Sequence, residues 1–248
     1  NGLRDTFDYG YYTRTDGVEI AFNKRFSKGW NFSASYTGLR IVEADFLANE
    51  FDTTPTERSS NDGRPHRIIV TGIYELPFGK GKPFASGARG AWNHVVGGWQ
   101  LNTITTLETG MPLAVRGANN FTGINWPDVV RDPSLPRGER NVNRWFDTEA
   151  FRNPADFVIG NAPRTLPNTR GPGLVDVSFS AFKIFEIREN TTLEFRAESF
   201  NALNYVNLNN PNVAFSPNRQ GVNGNANFGR SLSSLEPRRL QFGLRLAF

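Results

Sequence analysis

Seven stretches of this chain alternate apolar and polar residues with a period of two, the spacing at which successive side chains of a strand fall on opposite faces. The last is the clearest. From Arg239 to Phe248, Leu240, Phe242, Leu244, Leu246 and Phe248 share one face, while Arg239, Gln241, Gly243 and Arg245 share the other. The chain ends on the apolar row itself, whereas chain ends are usually frayed and polar. A strand with lipid on one side and a wet lumen on the other has this alternation.

The remaining strands are predicted in order. Asn1 to Arg14 is polar and Tyr-rich and has the look of a loop end. The first strand is expected from Asp16 to Phe26, with Val18, Ile20, Phe22 and Phe26 on one face and Lys24 interrupting the row. Ser27-Lys28-Gly29 is a short turn, and Trp30 to Leu39 sets Trp30, Phe32, Ala34 and Tyr36 against Asn31, Ser33, Ser35 and Thr37, which makes a hairpin. A third strand over Arg67 to Leu76 puts Ile68, Val70, Tyr74 and Leu76 together, opposite a mixed row of Arg67, Ile69, Thr71, Ile73 and Glu75. The fourth is predicted from Trp99 to about Val115. The fifth, Leu174 to Ile187, aligns Val175, Val177, Phe179, Ala181, Phe185 and Ile187, with Lys183 breaking the row. Arg188-Glu189-Asn190 turns the chain into the sixth, Thr191 to Phe200, which carries Leu193, Phe195 and Ala197 opposite Thr192, Glu194, Arg196 and Glu198.

The connections alternate in length: 27–29 is short, 40–65 long, 77–98 medium, 117–173 very long, 188–190 short and 201–236 long. In an up-and-down meander, alternate connections lie at the same end, so all the long ones gather at one end. Outer-membrane barrels have this asymmetry, with tight periplasmic turns and long external loops. The expected fold is therefore all-β, an antiparallel up-and-down transmembrane β-barrel. About seven strands fall short of the even number that closes such a barrel. Residues 1–248 are accordingly expected to form a C-terminal part of the barrel, with earlier strands preceding Asn1.

Composition narrows the alternatives. A mean hydropathy of −0.46 and 38% hydrophobic residues exclude a bundle of membrane helices, and no run approaches the roughly 18 apolar residues of a spanning helix. A barrel survives this test because only alternate residues need be apolar. With no cysteine among 248 residues, disulfides and thiolate metal sites are both excluded. The net charge is +4 with basic residues scattered along the chain, so no nucleic-acid partner is expected. The sequence opens at Asn1 without a Met, a basic n-region or an apolar h-region, so a processed chain or a fragment is expected.

The ending, Leu193-Glu194-Phe195-Arg196-Ala197-Glu198-Ser199-Phe200-Asn201-Ala202-Leu203-Asn204, then Asn227-Phe228-Gly229-Arg230, then Pro237 to Phe248, resembles the C-terminus of TonB-dependent outer-membrane receptors. Tyr74-Glu75-Leu76-Pro77-Phe78-Gly79-Lys80-Gly81-Lys82, Gly97-Gly98-Trp99-Gln100, Thr109-Gly110-Met111-Pro112 and Arg170-Gly171-Pro172-Gly173 are similar to segments of the subgroup with a carboxypeptidase-regulatory-like N-terminal domain. The resemblance implies a 22-stranded barrel with an N-terminal plug and a TonB-box, neither of which this sequence contains. It also implies energy supplied by the inner-membrane TonB complex and an undefined solute as ligand. Leu240, Phe242, Leu244, Leu246 and Phe248 look like the signal read by the barrel-assembly machinery, and outer-membrane lipid is the expected surrounding.

Enzyme chemistry finds little support. His66 and His94 have no second ligand at metal-site spacing. Gly79-Lys80-Gly81-Lys82-Pro83 lacks the first Gly and the final Ser/Thr of a phosphate loop. Glu194, Arg196 and Glu198 alternate with apolar residues as a lumen-facing charge ladder would. No catalytic residue, cofactor or metal is expected. Trp126, Arg144, Trp145 and Phe146 of the longest connection are the candidate ligand contacts, against the plainer alternative that they pack that loop on itself. A passive porin, a surface adhesin and a secreted glycan-binding β-sandwich stay open at this point. Only the sandwich requires the apolar faces to bury one another.

Overall fold

Two adjacent residues in the left-handed region, Lys28 (φ 53°) and Gly29 (φ 82°), close the first hairpin. Positive φ at both central positions makes the two-residue turn whose twist matches that of the flanking strands, and Ser27 pairs directly with Trp30 across it. The structure is a computed structural model that describes residues 10–47, 52–188 and 191–248. The opening stretch up to Tyr9 and the turn residues Glu189 and Asn190 lie outside the described residues.

Seven long strands follow the predicted order: β1 Tyr12–Ser27, β2 Trp30–Ala44, β3 His66–Glu75, β4 Trp99–Glu108, β5 Leu174–Arg188, β6 Thr191–Phe200 and β7 Arg239–Ala247. Each pairs antiparallel with its sequence neighbour, giving one meander from β1 to β7. Among the described residues the sheet is open, with β1 and β7 as its edges.

Three boundaries differ from the sequence expectation, each for a physical reason. β1 and β2 run on together at their far end, where Tyr12 pairs with Ala44. A spanning strand needs about 9–11 residues, so 16- and 15-residue strands project past the bilayer. Their projecting part is stabilised from outside. The two-residue strand Arg58–Ser59 pairs with Val42 and Glu43, Val42, Glu43 and Ala44 are buried, and Arg58 reaches the Glu43 carboxylate at 2.6 Å. β4, in contrast, stops at Glu108 rather than Val115. Pro112 has no N–H to give a ladder, and Gly110 packs so close to the Gly171 carbonyl that a Cβ would collide with it. Leu113 and Val115, whose alternation extended the predicted strand, are instead buried in a core beyond the sheet.

That core belongs to the long connections. Leu113, Val115, Phe146, Ala150, Phe151, Leu166, Phe215 and Phe228 form one buried cluster. Its four phenylalanines meet edge to face, with ring centroids 5.1–5.9 Å apart, the arrangement that the ring quadrupole favours. At the opposite end the connections are the β1–β2 turn and the segment between β3 and β4, which contains the short helix α1, Ala91–Val96.

Candidate functional site

Residues paired across an antiparallel ladder point to the same face, so the register decides whether the seven apolar rows join. They do. One line of partners runs Ile20, Tyr36, Ile68, Leu107, Val175; another runs Trp30, Tyr74, Leu101, Ala181, Ala197, Phe242. The apolar rows thus form one continuous face, and its side chains lie open: Phe22 is 60% exposed, Phe242 69% and Leu244 71%. Soluble monomers rarely expose contiguous apolar patches beyond a few hundred Å². In a β-sandwich this face would be covered by a second sheet, and none lies on it among the described residues.

The reverse face is mixed and mostly polar. Glu19, Thr37, Arg67 and Glu108 share one line of partners, and Glu108 accepts from Arg67 at 2.9 Å and Arg64 at 2.8 Å. Glu194 and Arg196, on the same face, form an ion pair. Ile69, Ile73 and Ile104 also point here. The pairing of Ile68 with Tyr36 and Leu107 settles the facing of β3, whose two rows are ambiguous in the sequence.

Two lysines stand within the apolar rows, Lys24 on β1 and Lys183 on β5. Both are near the end with short connections, and both turn their ammonium groups to backbone carbonyls there. Lys24 Nζ donates to the Trp30 carbonyl at 2.9 Å and the Ser27 carbonyl at 3.1 Å, over the Trp30 ring. Lys183, buried, donates to the carbonyl of Gly97 and lies over the Trp99 ring. An interrupted row beside a strand-end Trp is the sequence signal for such cations at the strand ends. Trp30, Tyr74 and Trp99 all sit at this end of their strands, where an aromatic girdle belongs. Tyr36 lies towards the other end and shares a 2.8 Å hydrogen bond with His66 Nδ1.

The long connections at the far end form a folded cap. Their abundant asparagines stand in for missing ladder partners: Asn207 accepts from the Val175 N–H at 2.8 Å and donates to the Val175 carbonyl at 2.9 Å. Asn201 likewise ties Tyr205 and Glu236 together. Distant stretches are joined by backbone bonds, Phe215 N–H to the Arg116 carbonyl at 2.7 Å and Trp145 N–H to the Gly229 carbonyl at 2.9 Å.

The four candidate ligand contacts separate by burial. Phe146 is enclosed in the phenylalanine cluster and Trp126 is buried with the Arg116 guanidinium 4.2 Å from its ring centroid; both side chains hold the cap together. Burial, then the nearby charges of Arg164 and Arg58, lower the Arg116 pKa from its ordinary value. Trp145 is half-buried and donates through Nε1 to the Arg170 carbonyl at 2.7 Å. Arg144 is exposed and reaches Asp147 at 3.4 Å. Burial of Asp147 opposes its ionisation, but the Arg131 hydrogen bond at 2.7 Å, the Glu149 N–H and the charges of Arg131 and Arg144 outweigh it. The carboxyl is held below its ordinary range. Leu240, Phe242, Leu244, Leu246 and Phe248 all lie exposed along the edge strand β7 and the chain end.

Among the described residues no helix is long and apolar enough to cross a membrane. No curated protein and no solved structure matches the chain. A family model described as an outer membrane beta barrel domain matches residues 3–241. Its length of match and the continuous apolar face agree: the chain belongs to the outer membrane beta-barrel domain family, and its place is the outer membrane.

Proposed function

We propose that this chain is the C-terminal part of the barrel of a TonB-dependent receptor, which binds a scarce solute at its external loops and takes it up through a plugged lumen, energised from the inner membrane. The observation that carries this reading is the folded cap. A passive pore gains little from long loops with their own aromatic core, whereas a receptor needs a shaped external surface positioned by a rigid scaffold. The sequence segments that resemble this family support it further. Arg144 and Trp145, which keep accessible surface, are the ligand contacts it favours, with Trp126 and Phe146 fixing the loops behind them. No catalytic step is assigned.

The open edges of β1 and β7 enter the same proposal. In hydrocarbon each unpaired backbone N–H or C=O costs several kcal/mol, so both edges pair with strands contributed from outside these residues. The barrel-assembly machinery recognises the apolar row that ends on Phe248. Cells expressing the full-length parent provide the test, with panels of labelled iron chelates, vitamins, glycans and peptides. Solute bound at the surface should enter only while the protonmotive force stands. Entry that continues unchanged after a protonophore would overturn the transporter reading and leave a passive pore.

A further inference from the structure

We infer that the segment between β3 and β4, residues 76–98, is an interfacial foot that lies on the periplasmic leaflet and takes anionic phospholipid headgroups. It rests on membership of the outer-membrane barrel family and not on the transport reading. The segment is fastened to the end of the sheet, through Lys183 and Trp99 on the lipid-facing side and through Lys82, which reaches Glu75 on the other face. The buried Lys183 ammonium is held by the carbonyl of Gly97, with Val95 O at 3.5 Å, and Trp99 Nε1 donates to the same Val95 carbonyl at 2.9 Å. These bonds hold the C-terminal end of α1 against the apolar rows, just where the hydrocarbon band meets the headgroups.

From that position the segment turns apolar side chains outward. Trp92 is 62% exposed, Val95 58% and Phe84 57%, an unfavourable arrangement in water and the expected one at the headgroup boundary. Its charge is one-sided. Residues 76–98 contain Lys80, Lys82 and Arg89 and no Asp or Glu. Lys82 is neutralised by Glu75 at 3.1 Å, while Lys80 and Arg89 are exposed and have no ion-pair partner among the described residues. Glu75 and Glu186 line the same cavity as Lys80, and among the described residues neither carboxylate forms an ion pair with it. Aromatic rings continuous with a lipid-facing sheet, flanked by two free cations, complement a phospholipid surface that carries negative charge.

The test reconstitutes the full-length parent in phosphatidylcholine vesicles containing an equal minor fraction of either brominated phosphatidylglycerol or brominated phosphatidylcholine. The emission difference between wild type and Trp92→Phe isolates Trp92. Both brominated lipids should quench it, the anionic one more strongly, since one basic residue near the surface favours anionic lipid about fivefold. The double variant Lys80→Gln/Arg89→Gln should lose the preference and keep the quenching. Heat-modifiable migration on a gel verifies that each variant is folded. Equal quenching by the two lipids in wild type would overturn the headgroup assignment. Quenching by aqueous acrylamide with none by either lipid would overturn the foot altogether and leave this surface to water or a periplasmic protein.

Discussion

Leu244→Arg places a charge where the apolar face is farthest from water. Along β7 and the chain end the outward positions are Leu240, Phe242, Leu244, Leu246 and Phe248, so Leu244 is the middle one, and its side chain is 71% exposed in the protein alone. On a face that meets lipid, that exposure is contact with hydrocarbon. An Arg on the lipid face of a barrel costs about 2–4 kcal/mol at the midplane and about 0–1 near the interfaces. Leu244→Arg should therefore lose about 2–4 kcal/mol, and Leu240→Arg, one end of the row, distinctly less. Gln241→Arg supplies the control. Gln241 pairs with Glu198 on the opposite face, and a substitution there should stay within about 0.5 kcal/mol. The assay is guanidinium titration of the full-length parent folded in vesicles, read by heat-modifiable migration. A Leu244→Arg variant as stable as wild type, or a Gln241→Arg variant equally damaged, would refute the assignment of the two faces.

Phe146→Ala removes a fully buried ring from the cap core and should cost the cap about 3–5 kcal/mol, seen as faster proteolysis of the loops with the barrel's migration unchanged. Arg131→Gln takes away the main partner that holds the Asp147 carboxyl low. A depressed pKa stabilises the fold above the unfolded value of about 3.9 and loses that contribution as pH falls through the lower folded one; the variant's cap should be cut faster than wild type at neutral pH, and the difference should shrink as pH falls through that window in an acid series of limited proteolysis. Lys183→Met removes the donor that pins residues 76–98, so trypsin should cut faster after Lys80 or Arg89, and an unchanged rate would deny Lys183 that role.

The strands were legible because the lipid-facing rows demand period-two alternation along every one of them, and the pairings then join rows that each strand already displays. What misled was the same alternation away from the membrane. Leu113 and Val115 continue the β4 pattern, yet they face a protein core, and a period of two does not say whether lipid or protein covers the apolar side. Phe146 and Trp126 stand among Arg and Asn in the sequence, where a ligand site and a cap core have the same composition; only packing separates them. The lysines at 24 and 183 show as interruptions of their rows, but the carbonyls that receive them come from the neighbouring strand and from a connection 86 positions away, which no local pattern records.

The central claim is that one face of the sheet meets lipid and the other a wet interior. A nitroxide scan tests it most directly, with single cysteines placed in turn from Arg239 to Ala247 in the full-length parent in lipid vesicles; this chain contributes no competing thiol. Collision with oxygen dissolved in lipid should peak at 240, 242, 244 and 246, and collision with a water-soluble nickel chelate at 241, 243 and 245. A profile without that alternation, or with its phase reversed, would contradict the assignment of the two faces.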